Sequence, residues 1–192
     1  MNDVGLQKPA PRHFPVSVEM YHVMAETGAF QPTDRVELIG GEIFEMSPIG
    51  SLHARCVKFL SNYLMSLSDS EHIVGVQDPI SVADDTEPQP DVSVVKFRED
   101  YYKDAHPTGA DTLLVIEVAD SSAEFDRAVK FPKYAAAGIP EAWLVDLTAG
   151  HVEVHSEPKE STYGIVRIYQ RGEEVVSETQ IDLKLQANDI LG

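Results

Sequence analysis

The sequence predicts an α/β fold in which a mixed central sheet is flanked by helices. Short aliphatic runs alternate with amphipathic segments along the chain, which is the order expected of strands and helices in one sheet protein. A chain of 192 residues, 43% of them hydrophobic and 24% charged, can bury a substantial core. No internal repeat or low-complexity linker interrupts the order. We therefore predict one domain over residues 16–192 and a flexible N-terminal arm over residues 1–15, which carries three prolines.

The first predicted elements are a short helix, a hairpin and a long helix. Ser17 is a candidate N-cap for a helix that continues to Ala25. The runs Val36–Ile39 and Glu42–Met46 flank a Gly-Gly pair, which is typical of a tight hairpin turn. From Ser51 to Leu67 apolar side chains recur every three or four residues. That spacing predicts an amphipathic helix with one buried face.

The rest of the chain adds strands and one more helix. The central runs are dense in β-branched and aliphatic residues, as strands covered on both faces tend to be. A helical segment over Asp126–Ala137 joins two of the strands, and Gly138 and Pro140 end it. The last two runs complete a C-terminal β-meander. The predicted strands are Ile73–Val76, Val92–Val95, Leu113–Val118, Ala142–Asp146, His151–His155, Ile165–Tyr169 and Ile181–Leu185.

The charge balance limits the classes of partner. Fifteen lysines and arginines against 32 acidic residues give a formal charge of −17, and no Lys or Arg lies between Lys58 and Lys96. A nucleic-acid protein usually carries a basic stripe, so such a partner would have to be met through metal ions or a few local cations. No apolar run approaches the roughly 18 residues that cross a bilayer, and the one cysteine, Cys56, cannot form an internal disulfide. We expect a cytoplasmic protein with no membrane partner.

Two carboxylates stand at the ends of neighbouring predicted strands. Asp91 begins one strand and Glu117 lies near the end of the next, so antiparallel pairing would bring both to one sheet edge. Such a pair suits Mg²⁺ or Mn²⁺, with the backbone carbonyl of Val118 as a further ligand. Either residue alone could be a turn residue or an edge charge. Glu117 is the stronger signal, because a charge inside an aliphatic strand is costly without a cation or a partner.

An ammonium group is predicted beside the carboxylates. Lys130 could orient an attacking water or stabilise developing charge, and Asp126, one helical turn earlier, could hold that ammonium in place. Pro132 would kink a continuous helix, which places Lys130 on a short preceding turn. Tyr134 and Trp143 are expected to pack in the core, because large aromatic side chains dominate core burial.

Several separated blocks of the sequence match one known pattern. Over residues 16–190 they resemble the Uma-type putative restriction endonucleases, a branch of the PD-(D/E)XK nuclease superfamily. The resemblance implies a restriction-endonuclease-like core with Asp91 and Glu117 as metal ligands. The matching blocks are Gln89–Val92, Ile116–Ser121, Asp126 with Lys130 and Tyr134, Ala137–Asp146, Glu37–Glu42, Met46–Pro48 and His53.

One departure from the wider superfamily concerns the lysine. The usual pattern places it two residues after the second acid, where this chain has Ala119. The resemblance therefore assigns the ammonium to the following helix, with Lys130 as the candidate and Lys133 as a weaker choice. It also implies accessory roles for Glu42 and His53, although each is equally well explained as a solvated surface residue.

The function that these features favour is metal-dependent endonucleolytic hydrolysis of DNA phosphodiester bonds. A two-fold homodimer would be the simplest way to cut both strands of a duplex, although the sequence leaves the oligomeric state open. Two alternatives remain: a catalytically silent protein-interaction domain that retains the nuclease fold, which the net charge favours, and a nuclease of RNA or branched DNA.

Glu37 is a further accessory candidate by resemblance, with less support than Glu42.

Overall fold

The computed structural model describes residues 13–67, 71–179 and 183–192, so most of the predicted N-terminal arm lies outside the described residues. The strands are β1 (Val36–Ile39), β2 (Glu42–Glu45), β3 (His72–Gly75), β4 (Val92–Lys96), β5 (Thr112–Ala119), β6 (Glu141–Asp146), β7 (His151–Lys159), β8 (Thr162–Gln170), β9 (Glu174–Val176) and β10 (Lys184–Gln186). The helices are α1 (Val18–Glu26), α2 (Ser51–Leu67), α3 (Ala123–Phe125), α4 (Phe131–Ala136) and α5 (Ala187–Leu191), and a π-helical turn over Asp126–Lys130 joins α3 to α4. None of the helices in the described part of the chain is long and apolar enough to cross a membrane.

A six-stranded mixed sheet forms the centre of the fold, as predicted. Its strand order is β3-β4-β5-β6-β7-β8, and all neighbours are antiparallel except β5 and β6, which run parallel. In the pairing of β4 with β5, Val92 lies opposite Ile116. That register, continued by one residue, sets Asp91 beside Glu117. The two strand ends therefore converge as antiparallel pairing requires.

Two apolar cores cover the two faces of the sheet. One core joins the sheet to α2 and α5, and the other joins it to α4. Strand β5 alternates between them, with Ile116 and Val118 in the first core and Val115 and Ala119 in the second. Because successive side chains of a strand point to opposite faces, Glu117 lies on the face that α4 covers.

The β1–β2 hairpin docks on the segment that leads into β4. Gly40 and Gly41 form its turn with φ values of +61° and +78°, a conformation that favours glycine. The Gly41 N–H donates to the Asp85 carbonyl, and the Glu87 N–H donates to the Leu38 carbonyl. These bonds fix the hairpin beside the end of the sheet where Asp91 lies.

The C-terminal meander is confirmed for β6, β7 and β8, but not for the last predicted strand. Strands β9 and β10 pair with each other in a separate antiparallel sheet. Of the predicted run Ile181–Leu185, the first two residues lie outside the described part of the chain, and β10 begins at Lys184. Leu185 is buried in the core that contains α2. The apolar pattern of this run therefore covers the main sheet and does not extend it.

The predicted helix over Asp126–Ala137 is interrupted by the π-helical turn. The Phe131 N–H donates to the Asp126 carbonyl, which is the i→i+5 spacing of a π turn. Pro132 lies in the first turn of α4, where its missing N–H is tolerated. Lys130 therefore precedes the proline on a turn of its own, as the sequence indicated.

Candidate active site

A cleft of about 340 Å³ opens where β4 and β5 meet the hairpin and the π-helical turn. Four carboxylates and one ammonium, each no more than 6% exposed, lie in its wall. We call Glu37, Asp91, Glu117, Asp126 and Lys130 the acid-rich cluster.

Asp91 is held by donors from three parts of the fold. His53, at the start of α2, places Nε2 3.0 Å from Asp91 Oδ2, and the Val118 N–H donates to the same oxygen at 2.9 Å. The Gln77 side-chain amide donates to Oδ1 at 3.0 Å. Burial alone would raise the pKa of Asp91, but the hydrogen bonds from His53, Gln77 and Val118 outweigh burial and lower it. The hydrogen bond to Asp91 in turn raises the pKa of His53, so an anionic carboxylate faces an imidazole that retains its proton more readily.

Glu117 is the most perturbed acid of the cluster. The Tyr134 hydroxyl donates to its Oε1 at 2.5 Å, and Lys130 Nζ donates to the same oxygen at 3.2 Å. Within the described ranges no hydrogen bond reaches Oε2. Burial raises the pKa of Glu117 to about 8, and repulsion from the other carboxylates of the cluster adds to this effect against the attraction of Lys130. At neutral pH the site therefore favours a proton, or another cation, on this carboxylate.

Lys130 is the one ammonium of the cluster and is 5% exposed. Its Nζ lies 3.0 Å from Glu37 Oε1 and 3.2 Å from Glu117 Oε1. Burial alone would lower the pKa of Lys130, but attraction to Glu117, Glu37 and Asp126 raises it. The ammonium is therefore charged at neutral pH. Glu37 reaches it from β1, while its other oxygen accepts the Gln89 N–H at 3.1 Å.

Asp126 does not hold Lys130 in the way that the sequence predicted. Its carboxylate, 3% exposed, accepts from the Ser122 hydroxyl at 2.8 Å, and the ion pairs that the structure gives Lys130 are with Glu37 and Glu117. The prediction assumed the i,i+4 stacking of an α-helix, whereas these residues lie on a wider π turn. Asp126 acts on the ammonium through its field and not through contact.

The other predicted site residues fall into two groups, those that line the cleft and those that lie outside it. Glu42, an accessory candidate, is exposed at the hairpin turn, where its carboxylate lies 3.7 Å from His13 Nδ1, and it does not line the cleft. The hairpin instead turns Glu37 inward. Of the two candidate lysines, Lys130 lines the cleft, whereas the Lys133 ammonium lies beside Gly40. His53 and Val118 both line the cleft.

Two contributors were not predicted as site residues. Tyr134 was assigned to the core and is fully buried, as is Trp143, but its hydroxyl also contacts Glu117. Its position four residues after Lys130 on the same segment was the available signal. Gln77 adopts a φ of +56°, which is uncommon for a residue other than glycine, and this places its amide against Asp91. Nothing in the sequence around Gln77 indicated that contact.

A second group of buried charges uses the other cation of the π-helical turn. Arg127 donates through Nε to Glu153 Oε1 at 2.8 Å and through Nη2 to Asp146 Oδ2 at 2.7 Å. His151 and His155 place Nε2 atoms 3.0 Å and 2.9 Å from the two oxygens of Glu153. Burial alone would raise the pKa of Glu153, but these donors outweigh burial and lower it. We call these five residues the Glu153 cluster.

Comparisons with known proteins address the fold and the family. A family model described as "Putative restriction endonuclease", Uma2, matches residues 18–188. The crystal structure of a putative nuclease belonging to DUF820 from Anabaena variabilis superposes with a TM-score of 0.71 at 14% identity, over 92% of this chain and 98% of that chain. At that identity the likeness concerns the fold alone, and it confirms the predicted nuclease-like core. A comparison with curated proteins gave no match.

Proposed function

The chain belongs to the Uma2 family of putative restriction endonucleases, and on that premise we propose that it is a metal-dependent endonuclease that hydrolyses DNA phosphodiester bonds. The acid-rich cluster is the observation that carries the proposal. Four buried carboxylates share the wall of one cleft with a single buried ammonium. Buried like charges are costly unless protons or cations balance them. Such an excess of acid in the wall of a cleft is better suited to a divalent cation than to a structural ion pair.

Asp91, Glu117 and Val118 are the residues that fit Mg²⁺ or Mn²⁺. Both ions prefer oxygen ligands, often with several retained waters. Glu117 Oε2 accepts no hydrogen bond within the described ranges, which leaves it for a cation. The Val118 N–H contacts Asp91, and the N–H and C=O of one strand residue point to the same neighbouring strand. The Val118 carbonyl therefore points to the side of β5 on which Asp91 lies.

The remaining residues of the cleft supply charge and orientation. When bound, the cation would neutralise the charge that develops on the phosphoryl oxygens and would make a water molecule more acidic. Lys130 can donate a hydrogen bond to the attacking water or to a phosphoryl oxygen, and it remains charged throughout. Glu37 holds that ammonium from the hairpin, Tyr134 orients Glu117, and His53 fixes Asp91.

The same excess of acid predicts the order in which the cation and DNA bind. The formal charge of the chain is −17, and the carboxylates of the cleft add a local repulsion toward phosphate. Divalent cations would have to bind before or together with DNA to offset that repulsion.

The test is cleavage of duplex DNA in Mg²⁺ or Mn²⁺ by the wild type and by Asp91→Ala and Glu117→Ala. Both variants should lose cleavage while circular dichroism reports an intact fold. Glu42→Ala is the matched control, because it removes an exposed carboxylate outside the cleft, and it should cleave as the wild type does. Retained cleavage by both cluster variants would overturn the assignment.

A catalytically silent interaction domain is the rival function that the net charge favours. Calorimetric titration separates the two: saturable Mg²⁺ or Mn²⁺ binding that requires Asp91 supports the nuclease, and no binding at millimolar metal supports the silent domain. A panel of duplex DNA, branched DNA and RNA identifies the substrate. Light scattering with and without duplex tests the two-fold homodimer that cutting both strands would favour.

A further inference from the structure

His22, Glu87 and His106 form a second group of metal-ligating side chains, outside the cleft. One ligand atom from each of the three lies within 4.8 Å of the other two. None of the three lines the cleft of the acid-rich cluster. We propose that they bind one divalent transition-metal ion of the zinc class, with the fourth ligand position open to water. This inference does not depend on the proposed nuclease activity.

Glu87 is the centre of this site. Its carboxylate is 2% exposed, with Oε1 2.7 Å from His22 Nε2 and Oε2 accepting from the Ser81 hydroxyl at 2.8 Å. One oxygen is thus fixed by a hydroxyl while the other is turned toward an imidazole. Carboxylates that bind metals are commonly oriented by such a hydrogen bond from a neighbouring group.

Backbone hydrogen bonds hold all three ligands near one another. The Val18 N–H at the start of α1, the helix that carries His22, donates to the Asp84 carbonyl at 2.8 Å. The Glu87 N–H donates to the Leu38 carbonyl at 2.7 Å. The Ser81 N–H donates to the carbonyl of Pro107, the residue after His106, at 2.8 Å. The site is therefore largely assembled before an ion binds, which reduces the cost of binding.

The donor set determines which ion fits. Two imidazoles and one carboxylate are a known zinc ligand set, with bonds of about 2.0–2.2 Å in a tetrahedral arrangement. Ligand atoms on such a tetrahedron lie roughly 3.4 Å apart, so this group needs only small adjustments. His106 is exposed and the His22 side chain is 44% exposed, so both can adjust. The hydrogen bond between His22 and Glu87 would open as the ion replaces its proton.

An ion at this site would join three parts of the chain. It would connect α1, the segment that continues from Glu87 to Asp91, and the loop between β4 and β5 that carries His106. An imidazole-containing site selects zinc-class ions, whereas the oxygen ligands proposed in the cleft select Mg²⁺. The two sites can therefore be titrated separately in one protein.

The test is calorimetric titration with Zn²⁺ in excess Mg²⁺, which occupies oxygen-only sites. The wild type should bind one equivalent of Zn²⁺. His106→Ala should weaken that binding at least about tenfold, since it removes one of three ligands, and Ser81→Ala should weaken it by ~10-fold through the orientation of Glu87. His13→Ala is the matched control, because His13 is exposed beside Glu42 and outside the group, and it should bind as the wild type does.

A spectroscopic measurement provides an independent check. Co²⁺ in the same buffer should give the intense visible absorption of a tetrahedral complex in the wild type and in His13→Ala, and that absorption should disappear in His106→Ala. Circular dichroism verifies that each variant is folded. Equal Zn²⁺ affinity in His106→Ala and His13→Ala, or no Zn²⁺ binding by the wild type, would overturn the proposal.

Discussion

The π-helical turn Asp126–Lys130 sends its two cations into two different buried clusters. Arg127 enters the Glu153 cluster, where one guanidinium and two imidazoles serve two carboxylates, and the pKa of Glu153 is lowered. Lys130 enters the acid-rich cluster, where it pairs with two of the four carboxylates, and the pKa of Glu117 rises to about 8. The two clusters therefore differ in their supply of hydrogen-bond donors, since the carboxylates of the Glu153 cluster have three donor side chains and those of the acid-rich cluster share one ammonium. We therefore base the proposed function on the acid-rich cluster, whose strongly raised Glu117 pKa is a common property of active-site acids.

Among the cations near the π-helical turn, Lys130 should have the largest effect on activity when it is replaced. If Lys130 stabilises charge during cleavage, Lys130→Met should lower the rate by about 10²–10³-fold, as the loss of one positioned donor does in other enzymes. Lys133→Met should change the rate less than about twofold, because that ammonium lies beside Gly40 and outside the cleft. Single-turnover cleavage of duplex DNA measures both variants. The reverse ranking would transfer the role to Lys133.

Loss of the Lys130 charge also leaves Glu37 and Glu117 without their common partner. Circular dichroism must therefore show that the variant is folded. Lys130→Gln, which retains a hydrogen-bond donor, replaces the methionine variant if that protein does not fold. Cleavage at the wild-type rate by folded Lys130→Gln would contradict the proposed role of the charge.

Glu117→Gln should stabilise the metal-free protein while it abolishes cleavage. The amide can still accept from Tyr134 and Lys130, and it removes one charge from a cluster that has too many carboxylates. With a pKa of about 8 in place of 4.5, the carboxylate should cost roughly 3 kcal/mol of stability at pH 7. Urea denaturation in EDTA measures the difference.

The pH dependence of that difference has a definite sign. Because the pKa of Glu117 is higher in the folded protein than its ordinary value, stability that is complete below about 4.5 is lost as the pH rises toward about 8. The gain from Glu117→Gln should therefore be small at pH 5 and should increase up to pH 8. If Glu117→Gln were less stable than the wild type at pH 7, the charge of Glu117 would not be destabilising in the metal-free protein.

Arg127→Met should have the opposite effect on stability and little effect on cleavage. The substitution leaves the buried carboxylates of Asp146 and Glu153 without their guanidinium donor. The free energy of unfolding should therefore fall by about 1–2 kcal/mol. The loss is smaller than for a fully buried ion pair because the Arg127 side chain is 36% exposed. The lowered pKa of Glu153 means that its ion pairing contributes above the ordinary value of 4.5 and is lost as the pH falls below it. The gap between wild type and variant should therefore narrow in acid. A large loss of cleavage with unchanged stability would reverse the roles of the two clusters.

Tyr134→Phe and Tyr163→Phe should give the smallest and most selective contrast. Each removes one hydroxyl, from a donor to Glu117 in the first case and to the Ile139 carbonyl in the second. Both should cost about 1 kcal/mol of stability. Cleavage should fall, by about tenfold, in Tyr134→Phe alone if the hydroxyl orients Glu117. Equal cleavage by both variants would show that the Tyr134 hydroxyl does not contribute to catalysis and that the side chain only packs in the core.

The sequence predicted those parts of the site that local pattern determines. Glu117 was predicted as a site residue because a charge interrupts an aliphatic strand, and its position beside Asp91 followed from the antiparallel order of two adjacent strands. Both inferences needed only neighbouring residues and one step of topology. The predicted site around Lys130 depended on the resemblance as well, because the helix that carries it is irregular.

The parts that the sequence did not predict depend on tertiary placement. Glu37 and Glu42 lie on one hairpin, and only the docking of that hairpin decides which carboxylate turns toward Lys130. The contact of Gln77 with Asp91 requires a left-handed backbone at Gln77, which the residues around it did not predict. Tyr134 was recognised as a core residue, but its hydroxyl partner lies on another element.

The π-helical turn has a consequence for changes in chain length. A π turn holds one residue more than an α turn, so deleting Ala128 or Val129 would let a regular α-helix form with α4 in its present register, and Arg127 and Lys130 would then be two residues apart instead of three. The angle between these two side chains around the helix axis would change, and with it their reach toward Glu153 and Glu117, although both cations would still be present. The number of residues in this turn, and not only their identity, is part of what the gene must encode.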